Sequence, residues 1–131
     1  MNTPTPVILV ADDEAHILRI VSLKLSRAGF SVVSAYDGRT AWDQLQNQFV
    51  DLVISDYQMP EMNGIELAQR MYADERLARI PVILLTAKSF NLAREDMADT
   101  NIVALVSKPF GPTELLEAAK NILRAVNVEA G

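Results

Sequence analysis

Cysteine is absent from this chain. Disulfides and thiolate metal sites are therefore excluded, and nothing points to an oxidising compartment. Basic residues are outnumbered: 12 Lys and Arg face 17 Asp and Glu, a net charge of -5, which argues against a nucleic-acid-binding surface. Long apolar runs are also lacking. The opening run, Val7 to Ala11, has no basic residue before it and is too short for a signal peptide or a membrane span. A soluble cytoplasmic protein is the expectation. No GxxxxGK[ST] loop occurs, which removes the commonest nucleotide-binding motif. Histidine occurs once; His16, early in an expected helix and without a partner pattern, reads as a solvated or capping residue rather than a catalytic one. There is no internal repeat, no low-complexity tract and no interior Pro-, Gly- or Ser-rich stretch. With 131 residues, half of them apolar, the chain suits a single domain over 1–131 with a core at about 7–126.

What is present is a recurrent short apolar run with a helix-like segment after it. The runs are VILVA (7–11), SVVSA (31–35), LVIS (52–55), PVILLT (81–86) and IVALVS (102–107). They are rich in Val and Ile and continuous rather than alternating, as in strands covered on both faces of a parallel sheet. Between them, Ile17, Leu18, Val21, Leu25 and Ala28 fall at helical spacing before Gly29, and residues 39–48 set Ala41, Trp42 and Leu45 on one side. Asn63 with Glu66 forms a capping box opening Ile65–Tyr72, and Gly64 reads as a sharp turn after Asn63. Segment 89–100, with a thin apolar face, predicts a fourth helix. Gly111-Pro112 opens a last helix whose stripe is Leu115, Ala119, Ile122, Leu123 and Val126; the helix is expected to stop about five residues before the end, and no effector domain is expected. Five strands alternating with five helices predict a doubly wound α/β fold, a five-stranded parallel sheet with helices on both faces.

Open α/β sheets bind ligands beyond the carboxyl ends of their strands. There the runs deliver Asp12-Asp13, Asp56, Thr86 and Lys108-Pro109. Three carboxylates suit a hard cation such as magnesium. A remaining carboxylate could act as a nucleophile toward phosphorus, with Lys108 and Thr86 holding phosphoryl oxygens. Taken alone, Asp12-Asp13-Glu14 could instead be an acidic helix opening favoured by the helix dipole; Glu14 itself reads as a first-turn helix residue. Trp42 reads as a half-buried packing residue, and Met59 and Met62 as loop and core filler beside Pro60.

At these positions the sequence resembles the receiver domain of two-component response regulators. The motifs are ADDE at 11–14, DYQMPEMNG at 56–64, TA at 86–87 and KPF at 108–110, spaced by 44 residues from Asp12 to Asp56, 30 to Thr86 and 22 to Lys108. The resemblance implies that Asp56 accepts a phosphoryl group from a sensor histidine kinase or a histidine phosphotransfer protein. It implies a magnesium ion held by Asp13 and Asp56 directly, by Asp12 through water and by the backbone carbonyl of Gln58. It further implies an Ala87 backbone N–H on the phosphoryl group, catalytic roles for Thr86 and Lys108, a cis Lys108-Pro109 bond and the flavodoxin-like strand order 2-1-3-4-5. Its downstream reader would be another protein, with neither nucleic acid nor membrane bound by this domain. A transient homodimer would form through the fourth helix, fifth strand and fifth helix. Such a domain catalyses only its own phosphorylation and dephosphorylation and is not otherwise an enzyme.

Two positions depart from the family pattern. Leu105 stands where Tyr or Phe is common, and Thr100-Asn101-Ile102 replaces a small, glycine-containing pair. Leucine has no hydroxyl to exchange partners, so output is expected to rest more on residues 86–90 and the 89–100 segment. Gln58 and Lys88 are expected to flank the attacking water and tune the phosphoryl lifetime. Two alternatives stand beside this reading. One is a degenerate receiver that only docks proteins. The other is an aspartate-nucleophile phosphatase, disfavoured because its second Asp would fall at Gln58.

Overall fold

A continuous apolar run alternates its side chains between the two faces of a sheet, so both faces need a cover. The computed structural model, which describes residues 5–87 and 97–130, shows that cover. The strands are β1 (Val7–Ala11), β2 (Ser31–Ala35), β3 (Leu52–Asp56), β4 (Val82–Thr86) and β5 (Ile102–Ser107). The described helices are α1 (Ala15–Arg27), α2 (Gly38–Asn47), α3 (Gly64–Tyr72) and α4 (Pro112–Ala130). All strand pairs are parallel, in the order β2-β1-β3-β4-β5. The fold class and strand order expected from sequence are those observed.

The period of two sorts each strand between two cores. Ile8, Val10, Leu52, Ile54, Ile83 and Leu85 pack with Leu18, Val21 and Leu25 of α1 and Leu115, Ala119 and Leu123 of α4. Leu9, Ala11, Val53 and Val82 face the other way, against Ala41 and Leu45 of α2 and Leu67, Ala68 and Met71 of α3. Trp42 lies half-buried against this second core, with Met59 beside it and Met62 inside it, so the packing readings of these side chains hold. No described helix is long and apolar enough to cross a membrane.

Local signals set the helix ends. Asn63 and Glu66 form the expected capping box, each side chain accepting from the other's backbone N–H. Gly29 follows α1 at φ 101, a left-handed conformation that glycine adopts without a Cβ penalty. Three expectations need correction. The last helix continues to Ala130 rather than stopping near Val126; Asn127-Val128-Glu129-Ala130 contains no Gly or Pro to end it. Of the expected 89–100 helix, residues 89–96 lie outside the described residues, as does Lys88; residues 97–100 are a helical residue followed by a turn. The third is Gly64, whose φ is not left-handed; the positive φ in this loop belongs to Glu61, at 69°.

Gly64 serves close approach instead. A Cβ there would stand 2.4 Å from the carbonyl oxygen of Asp56 and 2.6 Å from Leu84 Cδ1. The start of α3 is thus pressed against the end of β3, and the Gly64 N–H donates to the carbonyl of Tyr57 at 2.8 Å. Gly64→Ala should destabilise the domain by about 2 kcal/mol through this overpacking. Gly111→Ala, where a Cβ meets nothing within 4 Å, should stay within about 0.5 kcal/mol of wild type. Urea denaturation of both variants checks this; equal midpoints would show that the close approach carries no cost.

Candidate functional site

Parallel register brings the site together. Ala11 pairs with Ser55, Asp56 with Leu85 and Thr86 with Ser107. One residue past each level the chain offers Asp12 beside Asp56, then Thr86, then Lys108, all at one edge. Backbone hydrogen bonds hold these ends: Asp12 N–H donates to Ala35 O (3.1 Å), Tyr57 N–H to Leu85 O (2.8 Å) and Lys108 N–H to Thr86 O (2.9 Å). The Lys108-Pro109 peptide is cis.

Asp12, Asp56 and Thr86 are buried, at 0, 5 and 2% exposure, whereas Asp13 is exposed. One carboxylate oxygen from each of Asp12, Asp13 and Asp56 can be chosen so that all three lie within 4.8 Å of one another. Lys108 Nζ reaches into this cluster, 3.1 Å from Asp56 Oδ1 and 3.4 Å from Asp12 Oδ2. The cleft above, about 380 Å³, is lined by Asp13, Glu14, Asp56, Tyr57, Gln58, Thr86, Ala87 and Lys108. Asp13, Asp56, Gln58, Thr86, Ala87 and Lys108, all nominated from sequence, therefore line this cleft, and Asp12 lies in the carboxylate cluster at its floor; Lys88 lies outside the described residues.

One neighbour was misread. Glu14 is the N-cap of α1 rather than a first-turn residue; its backbone is extended and its side chain makes no capping hydrogen bond. The Asp12 carboxylate takes the Glu14 N–H instead, at 2.9 Å, and Glu14 Oε1 lies 3.4 Å from Lys108 Nζ. The contact spans 94 residues. A sequence signal did exist, since Glu is a poor N-cap, but nothing local named the partner. His16 is exposed on α1, as its solvated reading expects.

Like charges at close range and burial both disfavour ionised carboxylates. Burial first, and then the Asp12 charge, push the Asp56 carboxyl up to about 6. Burial likewise raises Asp12. Burial pulls Lys108 down, but its carboxylate partners outweigh this and raise it overall. Among the described residues, one ammonium stands against three clustered carboxylates and Glu14, an excess of negative charge. An all-oxygen, acidic donor set of this kind fits a hard divalent cation.

The family profile described as response regulator receiver domain matches residues 8–120. The chain belongs to this family. It is 35% identical over 117 residues to the response regulator GtcR of Aneurinibacillus migulanus, covering 89% of this chain and 47% of that protein. It is 34% identical over 118 residues to the chemotaxis protein CheY1 of Helicobacter pylori, covering 88% of this chain and 95% of that one. Its fold is similar to the chemotaxis response regulator CheY4 of Vibrio cholerae, with a TM-score of 0.84 and 28% identity over 91% of this chain and 99% of the other. The chain spans about half the length of the first curated relatives it matches. As a receiver domain it is a signalling module rather than a conventional enzyme.

The electrostatics predict a pH-dependent gain on neutralising Asp56. Its carboxyl sits near 6 in the fold against an ordinary 3.8, so the folded state binds the proton more tightly. Ionised Asp56 is then a net cost above about pH 6, and that cost disappears as pH falls toward 4. In metal-free buffer, Asp56→Asn should stabilise the domain by about 2 kcal/mol at pH 7 and by almost nothing near pH 4. Denaturant titrations of both proteins across that range measure it; a gain independent of pH would contradict the charge argument.

Proposed function

We propose that this receiver domain is a phospho-accepting switch in which Asp56 takes a phosphoryl group from the phosphohistidine of a sensor histidine kinase or a histidine phosphotransfer protein in the cytoplasm. The observation that supports it best is the position of Asp56 at the floor of the acidic cleft, 3.1 Å from Lys108 and beside Thr86 and Ala87. An Asp56 carboxylate oxygen attacks phosphorus, and the bond from phosphorus to the donor's imidazole nitrogen breaks. The electron pair goes to that nitrogen, and because the other ring nitrogen of the phosphohistidine carries a proton, the donor leaves as neutral imidazole. Lys108 exchanges its carboxylate contact for a phosphoryl oxygen, and the Thr86 hydroxyl and Ala87 N–H donate to the others. These groups position and compensate charge, which is most of what phosphoryl transfer needs.

Asp12, Asp13 and Asp56, with the backbone carbonyl of Gln58, would hold magnesium. When bound, the ion supplies positive charge that offsets the phosphoryl oxygens. Attack of water on the phosphorus of the resulting acyl phosphate returns Asp56 to the carboxylate and releases inorganic phosphate. Exposed Gln58 borders that approach.

A protein donor suits the surroundings. A groove lined by Ile17, Ile20, Pro109 and Phe110 adjoins the cleft and shares Glu14 and Lys108 with it. Ile20 is 46% exposed, an apolar contact available to a partner. The phosphorylated state is then read by a downstream protein as a shifted population, and the domain, with its core over 7–126, acts as one unit.

Intact-mass analysis after incubation with acetyl phosphate and magnesium tests the assignment. Wild type should gain one phosphoryl group and Asp56→Asn none; an equal mass gain in the variant would place the acceptor elsewhere. Magnesium alone should also stabilise the fold, by roughly 2.7 kcal/mol at about a hundred times its dissociation constant. Asp13→Ala should lose that gain. Identical melting shifts in wild type and Asp13→Ala at equal magnesium would remove Asp13 from the ligand set.

A further inference from the structure

Three carboxylates compete for the Lys108 ammonium, and they are not equivalent. Asp12 and Asp56 belong to the cluster that can hold a cation. Glu14 stands outside that cluster, at the rim, with half of its side chain in solvent. It lines both the acidic cleft and the adjoining apolar groove. Its side chain has no capping duty on α1, and Lys108 is its polar contact among the described residues. A charge bound at the cluster neutralises Asp12 and Asp56 but leaves Glu14 as it is.

We propose that Glu14 is a donor-selecting residue that restrains Lys108 at the cleft mouth and opposes the entry of small anionic phosphodonors. The inference rests on the phospho-accepting reading above. An incoming phosphoryl oxygen has to displace Glu14 from Lys108 and approach past the same negative charge. Competition and repulsion act in one direction: both slow a free dianion that arrives by diffusion. A protein donor that docks on the adjoining groove has contact energy to set against this opposition; acetyl phosphate has none. Charges at the rim of a site act chiefly on association rate and on its salt dependence.

The test compares wild type, Glu14→Gln and Glu14→Lys in the 131-residue chain. The rate constant for phosphorylation by acetyl phosphate in magnesium buffer is followed by intact mass at low and at high ionic strength. At low salt, Glu14→Gln should be faster by about fivefold, the factor a unit charge a few ångströms away exerts in water, and Glu14→Lys faster still. At about 1 M salt, where the screening length is about 3 Å, both advantages should fall toward one. In metal-free protein, the Lys108 side-chain NMR resonances should shift in Glu14→Gln, a readout independent of phosphorylation. Equal or slower rates, a gain that salt does not change, or unmoved Lys108 resonances overturn the proposal. A wild-type chain that gains no phosphoryl group overturns the phospho-accepting reading and this inference with it. Normal phosphorylation of wild type with no Glu14 effect overturns only the role of Glu14.

Discussion

The site depends on one constraint: Asp12 and Asp56 are buried side by side, and among the described residues Lys108 is the ammonium that meets both. Neither carboxylate has enough positive charge nearby to offset burial, and both titrate above their ordinary range. A fully neutralised pair would be more stable but would bind little. A ligand shifts a conformational equilibrium only by its differential affinity for the two states. An acidic cluster left short of positive charge keeps affinity in reserve for a cation, and a lysine shared among carboxylates can move to a phosphoryl oxygen with little net loss of contact.

The rest of the fold exists to hold these ends level. All five parallel strands end at this edge, and backbone hydrogen bonds at their ends pass from Asp12 to Ala35, from Tyr57 to Leu85 and from Lys108 to Thr86. Separate cores on the two faces of the sheet prevent slippage, because a one-residue slip would turn Ile8 and Val10 into the space of Leu9 and Ala11. The close approach at Gly64 does the same work on the loop that follows Asp56. Strand ends held in this way let one oxygen from each of Asp12, Asp13 and Asp56 lie within 4.8 Å of the others.

Most of this was legible in the sequence, and for identifiable reasons. Continuous Val- and Ile-rich runs have few structures available other than buried parallel strands, so β1, β2 and β5 appear where the runs place them, and β3 and β4 to within a residue. Once the runs are strands, the polar residue after each belongs to one edge, which is why Asp12, Asp56, Thr86 and Lys108 could be named together. What could not be read was tertiary. Glu14 read as no more than a first-turn helix residue because its partner lies 94 residues away. Gly64 carried the signal of a turn, whereas its role is set by Asp56 O and Leu84, which local sequence does not place. The last helix outran its apolar stripe because a stripe records where a helix is covered, not where it ends.

The remaining question is how a change in the cleft could leave it. β5 is an edge strand whose pairing with β4 shifts register between Val82 and Ile83, and its Val103 is 57% exposed. Leu105, opposite Leu84, is half-buried and has no polar atom that could trade one hydrogen-bond partner for another. A relay through that side chain would need two positions of different contact energy, and an aliphatic group already partly covered gains little by moving. By contrast, Thr86 and Lys108 hang from one backbone hydrogen bond, Lys108 N–H to Thr86 O. A pull on the Thr86 hydroxyl and a pull on the Lys108 ammonium therefore act on the same pair of strand ends. That shared hydrogen bond links the ends of β4 and β5 through the backbone, a connection that needs no hydrogen-bond exchange at position 105.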